Sequence, residues 1–237
     1  MTCGLNLYIG FAQQDEWRHW AGTYAIHAEK FETASGNGCL VVPFTLASAD
    51  LIERIAPRAV VLSGFARSFQ DYDVNSLRPI CNWLLAEHNR IPTLALCGSH
   101  QLLGFLFNGE IEESERLYDQ PMRRLASDEP VTNPDYHPEY YMEKGFYRLI
   151  LTDRGKQDPL FKGFDAAPTV CESHYCEIKT APPEFDLLAS TPECRVQAIR
   201  HKTRPLYGFQ FHPEDSTDRF PDGMTMLERF FGLAGGR

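Results

Sequence analysis

The chain has 237 residues, of which 43% are hydrophobic, so it is long enough to bury a core without disulfide bonds. Its formal net charge of −9 disfavours binding of a nucleic-acid backbone, and no apolar run is long enough to predict a membrane span. Seven irregularly spaced cysteines, with no secretory pattern at the N-terminus, favour reduced thiols in a cytoplasmic setting.

Short apolar runs alternate with longer amphipathic ones over the first hundred residues. The predicted strands are 5–9, 38–42, 59–64 and 92–96, and the predicted helices are 14–30, 49–55, 74–88 and 100–107. Strands that alternate with helices predict βαβ units and a mostly parallel sheet. The strands are almost entirely apolar, which is typical of a sheet covered on both faces.

Residues 110–145 have a different composition. The segment begins acid-rich and becomes dense in Pro, Asp, Asn and Tyr between residues 128 and 141. Such signals predict turns and irregular backbone, so we interpret 110–145 as an insertion over one face of the sheet. A long structured loop in this place either determines specificity or is surface decoration, and the sequence leaves both open.

The last third returns to short apolar runs, now without helices between them. The predicted strands are 146–151, 169–178, 187–189, 196–199 and 206–211, and an amphipathic helix is predicted over 220–233. Neighbouring strands joined by turns predict a small antiparallel extension of the sheet. The expected fold is therefore α/β, with a mostly parallel, flavodoxin-like central sheet flanked by helices, in a single domain over 1–237.

A cysteine lies between small residues where the strand at 92–96 meets the next helix. Cys97 is followed by Gly98 and Ser99. A sharp turn from strand to helix presents a nucleophile in this way, and the positive end of the helix dipole favours a thiolate. A buried structural cysteine is the alternative interpretation of this segment alone.

The last predicted strand ends at a histidine, His212, with Glu214 two residues further on. An imidazole can take the proton of a thiol, and a carboxylate can orient the ring. Active sites of open α/β sheets form at the carboxyl ends of the strands, so we expect Cys97 and His212 to meet there. For the His-Pro-Glu segment alone, an ordinary surface turn is the alternative.

Backbone groups at the end of the strand over 59–64 point to the same edge of the sheet. Gly64, Phe65 and Ala66 form a predicted turn. Their amide groups, with that of Gly98, are candidates to stabilise the oxyanion of a tetrahedral intermediate. A simple turn into a loop is the alternative.

Metal-ligand residue types also occur together at Cys171, His174 and Cys176. Their spacing differs from that of a standard zinc site, and no second Cys/His pair completes four ligands. In a strand, Cys171 and Cys176 would face opposite sides. We therefore predict neither a metal site nor a cofactor.

Taken together, these segments resemble the class I (triad) glutamine amidotransferases, in particular domains similar to the glutaminase part of GMP synthase. The family motif Gly-x-Gln-Phe-His-Pro-Glu is complete at Gly208, Gln210, Phe211, His212, Pro213 and Glu214. The nucleophile motif Gly-x-Cys-x-Gly-x-Gln matches at Cys97 and Gln101, while Ala95 and Ser99 replace its glycines. Phe65 follows Gly64 where the family usually carries Gly-Gly-Pro. The resemblance spans most of residues 40–235.

The resemblance implies hydrolysis of the side-chain amide of glutamine, with Cys97 as nucleophile, His212 as acid and base, and Glu214 as the orienting carboxylate. It implies an oxyanion site at Gly64, Phe65 and Gly98. Substrate-side positions are implied at Gln101, Ala66, Ser173, His174 and Cys176. The ammonia would normally pass to a synthetase, and no phosphate-binding loop is present here, so a partner synthetase is expected. The pattern predicts no particular oligomeric state.

Two other functions stay open at this point. A stand-alone hydrolase acting on a different γ-glutamyl compound would use the same triad with an altered pocket, and the 110–145 segment is placed to alter it. A non-catalytic binding or regulatory module of the same fold is the second alternative. The presence of Cys97, His212 and Glu214 argues against that module, whereas Phe65 and Ser99 favour it.

Overall fold

A computed structural model describes residues 4–113, 115–164 and 167–235 of the chain. The described residues form ten strands: β1 (Leu5–Phe11), β2 (Gly38–Pro43), β3 (Val60–Phe65), β4 (Thr93–Leu96), β5 (Glu143–Arg148), β6 (Ile150–Leu151), β7 (Thr169–His174), β8 (Phe185–Ser190), β9 (Ala198–His201) and β10 (Leu206–Phe209). They also form seven α-helices: α1 (Trp17–Ser35), α2 (Ala49–Ile55), α3 (Val74–Leu85), α4 (Gly98–Phe107), α5 (Glu110–Glu113), α6 (Asp153–Gln157) and α7 (Asp222–Gly232). None of the described helices has the length and apolar character needed to cross a membrane.

Eight strands form one sheet in the order β2-β1-β3-β4-β10-β9-β8-β6. The pairs from β2 to β10 are parallel, and those from β10 to β6 are antiparallel. The order 2-1-3-4 at the parallel end is that of a flavodoxin-like sheet. The predicted α/β fold with an antiparallel extension is therefore confirmed. Strands β5 and β7 pair separately as a two-stranded antiparallel sheet.

The apolar strands divide their side chains between two hydrophobic clusters. In β1, Leu7 and Ile9 belong to the cluster that includes buried residues of α2, α3 and α4, whereas Tyr8 belongs to the cluster that includes those of α1 and α7. In β3, Leu62 and Val61 divide in the same way. Successive side chains of a strand point to opposite faces, so a strand buried on both faces must be apolar throughout.

Several predicted boundaries are wrong. Helix α1 begins at Trp17 and continues to Ser35, because it ends where Gly36 adopts a left-handed φ of 65°. Strand β7 ends at His174 rather than 178, because Tyr175 and Cys176 turn to meet residues 121–122 of the insertion. There the amide of Met122 donates to the carbonyl of Tyr175 at 2.7 Å.

The single strand predicted over 146–151 is two strands in different sheets. Strand β5 pairs with β7, whereas β6 pairs with β8. The chain changes direction at the buried Leu149, whose amide donates to the carbonyl of Pro168 at 2.9 Å. The five-residue helix α6 that follows is too short to show helical periodicity, but Thr152 caps it by accepting from the amide of Gly155.

Residues 110–145 begin with α5 and end within β5, and residues 115–142 between them have mostly irregular backbone. Arg123 forms ion pairs with Glu129 and with Glu193 outside the segment. The segment also reaches the carboxyl ends of the parallel strands. The amide of Phe69 donates to Asp119 at 2.7 Å, and the hydroxyls of Ser68 and Tyr136 lie 2.8 Å apart. The insertion thus covers the sheet edge where Cys97 lies.

Candidate active site

Cys97 occupies a strained turn between β4 and α4. Its φ of 48° and ψ of −109° are unusual for a residue with a side chain, and such a conformation costs about 1–3 kcal/mol. Two backbone hydrogen bonds hold it, since the Cys97 amide donates to Phe209 at 2.7 Å and the Gln101 amide donates to Cys97 at 3.0 Å. The turn leaves the thiol partly exposed at the start of a helix.

Small residues beside Cys97 allow close packing of α4 on β3. A Cβ atom added to Gly98 would lie 2.7 Å from the backbone nitrogen of Phe65, too close for any side chain. The hydroxyl of Ser99 donates to the carbonyl of Ser63 at 2.5 Å and ties the helix start to β3. Ser99 therefore fits where the family motif has glycine.

His212 and Glu214 follow β10 and form a hydrogen-bonded pair. The Nδ1–H of His212 donates to Oε1 of Glu214 at 2.8 Å, and Glu214 is 1% exposed. The imidazole also lies beside Cys97, since a Cβ atom built on Gly64 would be 3.6 Å from Cε1 of His212 and 3.9 Å from Sγ of Cys97. Burial alone would lower the pKa of His212, but the negative charges of Glu214 and Cys97 outweigh it and raise the pKa well above its usual value. The Glu214 carboxylate therefore favours the protonated form of the His212 ring beside Cys97.

Gly64 lies against both Cys97 and His212. A Cβ atom built on Gly64 would be 3.4 Å from Cβ of Cys97 and 3.6 Å from Cε1 of His212. The structure thus brings together the ends of β3, β4 and β10, as the sequence predicted for the carboxyl edge of the sheet.

The residues predicted for the oxyanion site also meet here. Gly98 lies in the first turn of α4, where amide groups have no partner within the helix. The Phe65 ring packs away on Phe11, Phe69 and Tyr72, with ring centroids 4.5 to 4.7 Å apart. The amide of Ala66 donates to the Tyr72 hydroxyl at 3.2 Å, so it is already used within the protein.

The predicted substrate segment around residue 174 presents some groups to the site and buries others. Ser173 is exposed and lies beside Cys97 in the cavity walls. The ring of His174 is instead turned into the protein, where it is 3% exposed. Cys176 is buried, and its carbonyl accepts hydrogen bonds from Gln101 at 3.0 Å and from His174 at 2.9 Å.

His174 is held as a cation by acceptors on both sides. Its Nε2 lies 3.0 Å from Glu143 and 3.2 Å from Glu172, and its Nδ1 faces the Cys176 carbonyl. A carbonyl and a carboxylate only accept, so both ring nitrogens must donate. Burial opposes this charge, but the two carboxylates raise the pKa of His174 to about 10. Burial also raises the pKa of Glu172.

A chain of hydrogen bonds leads from this cation to the nucleophile. Because the Cys176 carbonyl only accepts, the amide nitrogen of Gln101 must point toward it. The same nitrogen donates to Oε1 of Gln210 at 3.1 Å, and this leaves Nε2 of Gln210 to donate to Sγ of Cys97 at 3.6 Å. Gln210 is fully buried, so the thiol has a fixed amide donor besides His212.

Ligand-type atoms of Glu143, His174 and Cys194 lie within 4.8 Å of one another. They do not form a suitable metal site, because a protonated imidazole has no lone pair to offer and burial raises the pKa of the Cys194 thiol. Of the predicted segment Cys171, His174 and Cys176, the last residue lies beyond the end of β7, so the alternation of a strand does not apply to it. The carbonyl of Cys171 accepts from the amide of His212, and Cys176 lines a cavity together with Cys97.

Two cavities, each of about 280 Å³, meet at Cys97. The first is here called the Gln101 cavity, and its inner wall also includes Gly98, Ser173 and Cys176. The insertion forms its outer wall through Asp119, Asn133, Tyr136 and Met142.

The second is called the His212 cavity, and its inner wall includes Gly64, Glu214 and Asp215. Helix α1 forms its outer wall through Trp20, Thr23, Tyr24 and His27. Phe65, Ala66 and Ser173 border both.

Several site residues were missed by the sequence reasoning. Gln210 stood inside a recognised motif, so its position was a usable signal. No local pattern pointed to Glu143, because its partner His174 lies 31 residues away along the chain. Asp119 and Trp20 belong to segments predicted only as loop and helix, and only the folded chain brings them to the cavities.

An α/β sheet that presents a thiol at a strand-to-helix turn, beside a histidine–glutamate pair, defines a cysteine-dependent amidohydrolase. Residues 33–233 match the family model of glutamine amidotransferase class-I, and the chain belongs to this family. The predicted resemblance is thus confirmed, and with it the class of enzyme.

Relatives and solved structures agree with this assignment. Over 188 residues, the chain is 28% identical to one subunit of the glutamine-hydrolyzing GMP synthase of Pyrococcus furiosus, and the match covers 78% of this chain and 80% of that protein. It is 32% identical over 178 residues to the GMP synthase of Caldanaerobacter subterraneus subsp. tengcongensis, covering 75% of this chain and 28% of that protein. The crystal structure of a GMP synthase subunit from Thermoplasma acidophilum has the same fold, with a TM-score of 0.67, 23% identity, and coverage of 98% of this chain and 94% of that one.

Proposed function

We propose that the chain hydrolyses the side-chain amide of glutamine through Cys97, His212 and Glu214 and supplies the ammonia to a partner synthetase. The observation that carries the proposal is the hydrogen-bonded pair of Glu214 and His212 beside Cys97 on a class I amidotransferase fold. This arrangement places a thiol nucleophile beside the group that can accept its proton.

The reaction follows from the positions of these groups. The Cys97 sulfur attacks the amide carbon, and the oxyanion forms beside the amides of Phe65 and Gly98. His212 gives its proton to the leaving nitrogen as the carbon–nitrogen bond breaks, which leaves a glutamyl thioester and ammonia. Neutral His212 then takes a proton from water, the hydroxide attacks the thioester, and glutamate and the thiol are released.

The proposed site of the glutamyl group is the Gln101 cavity. It lies on the side of Cys97 that carries the helix start and the 173–176 segment. Asp119 is a carboxylate in its wall, held by the Phe69 amide and the Tyr175 hydroxyl. A carboxylate in this position suits the α-ammonium group of glutamine.

The partner is inferred from the relatives. The Pyrococcus furiosus protein is by name one subunit of a synthase, and the Caldanaerobacter protein carries the matching part within a longer chain. We place this activity in the cytoplasm, which the free state of the described cysteines supports. A single domain over 1–237 remains part of the same proposal.

The test is release of glutamate from glutamine by the purified chain, with Cys97→Ala as the control and circular dichroism as the check on folding. Cys97-dependent release supports the proposal. If glutamate is not released while Cys97 still reacts rapidly with iodoacetamide, addition of a synthetase partner should restore turnover. An unreactive Cys97 in a folded chain would instead favour the non-catalytic module.

A further inference from the structure

The His212 cavity is much larger than ammonia requires. Its volume is about 280 Å³. Ammonia is close in size to water, and a water molecule occupies about 30 Å³ in the liquid. The remaining space is enclosed by α1 on one side and by the 3₁₀ turn Pro213–Asp215 on the other.

The mechanism places the leaving group on this side of the nucleophile. His212 must deliver its proton to the departing nitrogen, so that nitrogen lies next to the His212 ring. Gln101 and residues 174–176, where the glutamyl group is expected, border the other cavity, whereas Ser173 borders both. Any substituent on the scissile nitrogen would therefore extend into the His212 cavity.

The wall formed by β1 and α1 suits an apolar body, and Glu214 and Asp215 contribute a polar wall elsewhere in the cavity. Tyr8 and Tyr24 are buried and pack edge to face with their ring centroids 5.6 Å apart. Trp20 continues this aromatic surface, 6.4 Å from Tyr24 between centroids, and is partly exposed. Aromatic side chains offer a large contact area to a ring or alkyl group, whereas ammonia gains nothing from them.

We propose that the His212 cavity is a leaving-group subsite, which accepts γ-glutamyl amides whose nitrogen carries an aromatic or apolar substituent. This inference rests on the proposed function, because it uses the same nucleophile and thioester. The sulfur–carbon bond forms, the carbon–nitrogen bond breaks, and the amine leaves with the proton from His212. Water then cleaves the thioester, so that a γ-glutamyl amide and water give glutamate and a free amine.

The experiment compares L-glutamine with L-γ-glutamylbenzylamide, using glutamate release as the common measurement. Thr23 lies in the wall of the cavity on α1, so Thr23→Trp fills the space reserved for the substituent. We expect the wild type to hydrolyse both compounds, and Thr23→Trp to lower the ratio of kcat/KM for the benzylamide to that for glutamine by about tenfold or more. The matched control is Ile26→Trp, because Ile26 lies on the same helix but is 58% exposed and outside the cavity walls. Ile26→Trp should leave the ratio unchanged.

The outcomes separate the subsite from the proposed function. Hydrolysis of glutamine without hydrolysis of the benzylamide would overturn the subsite and leave the proposed function in place. An equal loss with both compounds in Thr23→Trp would also overturn it, because the substituent would then not occupy the cavity. If neither compound is hydrolysed, with or without a synthetase partner, the proposed function fails and the subsite fails with it.

Discussion

At the scale of single residues, the sulfur of Cys97 has two partners of different kinds. His212 is a proton acceptor backed by Glu214, and Gln210 is a fixed hydrogen-bond donor. The first creates the thiolate by taking its proton. The second stabilises the resulting charge, because Gln101 fixes the direction of the Gln210 amide. The two contributions can be separated by substitution.

Removal of the acceptor should abolish the activation of Cys97. His212→Asn keeps a polar side chain of similar shape but has no basic nitrogen, so we expect rapid alkylation of Cys97 by iodoacetamide near pH 7 to be lost. The measurement is the alkylation rate of the folded variant beside wild type, with Cys97→Ala to correct for the other thiols. An unchanged rate would mean that His212 does not activate the nucleophile.

Removal of the donor should have a smaller effect. Gln210→Met preserves the volume in a fully buried position but loses the amide that donates to sulfur. A hydrogen bond to a charged group contributes about 1.5–3 kcal/mol, so kcat/KM for glutamine should fall by about tenfold or more. The control is Gln157→Met on the exposed face of α6, where no change in turnover is expected. Equal kcat/KM in wild type and Gln210→Met would remove Gln210 from the mechanism.

At the scale of elements, the packing of α4 on β3 leaves no space beside Gly98. The Cβ atom of Gly98→Ala would meet the backbone of Phe65, so the turn at Cys97 must shift relative to β3 and separate the two amides proposed to bind the oxyanion. We expect both kcat and the free energy of unfolding to fall. Gly22 in the interior of α1 has open space around it, so Gly22→Ala should raise the free energy of unfolding by about 0.5–1 kcal/mol. Urea denaturation of the two variants tests the pair, and equal effects in both would contradict the steric argument.

Sequence patterns predicted some elements well for a physical reason. Strands β1, β3 and β4 are buried on both faces, so their apolar character is local information. The turn at Cys97 was predictable because small residues must stand beside it. Strand β5 was misassigned, since its register depends on pairing with β7 beyond a long gap in the chain. The same distance along the chain hid the Glu143–His174 pair and the walls of both cavities.

At the scale of the whole molecule, buried histidines of opposite character make stability depend on pH on both sides of neutrality. Burial lowers the pKa of His100 to about 3, and burial with the nearby charge of Arg204 lowers that of His201 to about 4. Unfolding returns the pKa of both side chains to about 6.5, so the unfolded chain binds protons more readily than the folded chain. Their contribution to the free energy of unfolding is therefore present above pH 6.5. It is lost as the pH falls toward 4 for His201 and toward 3 for His100.

His174 and His212 have the opposite effect. Their folded pKa values are raised, that of His174 to about 10, so the folded chain keeps protons that the unfolded chain releases above about pH 6.5. Their contribution to the free energy of unfolding is complete below that pH and declines as the pH rises above it, up to about 10 for His174, by up to about 1.4 kcal/mol per pH unit for each group. Cysteines add to this decline above about pH 7.5, because burial raises the pKa of thiols such as Cys39 and Cys81 in the folded chain, whereas an unfolded thiol titrates around pH 8.5. The decline between about pH 6.5 and 7.5 therefore belongs mainly to the two histidines.

The free energy of unfolding should consequently be greatest near pH 6.5 and fall in both directions. Urea denaturation at a series of pH values from 4 to 9 gives the profile. His201→Gln removes one of the groups that act below neutrality, so it should flatten the acid side and leave the alkaline slope as it was. His212→Asn should flatten the alkaline side alone, because it removes a buried cation but not the neutral histidines. A profile that rises from pH 6.5 to 7.5 in the wild type would show that neither His174 nor His212 is held as a cation in the folded chain.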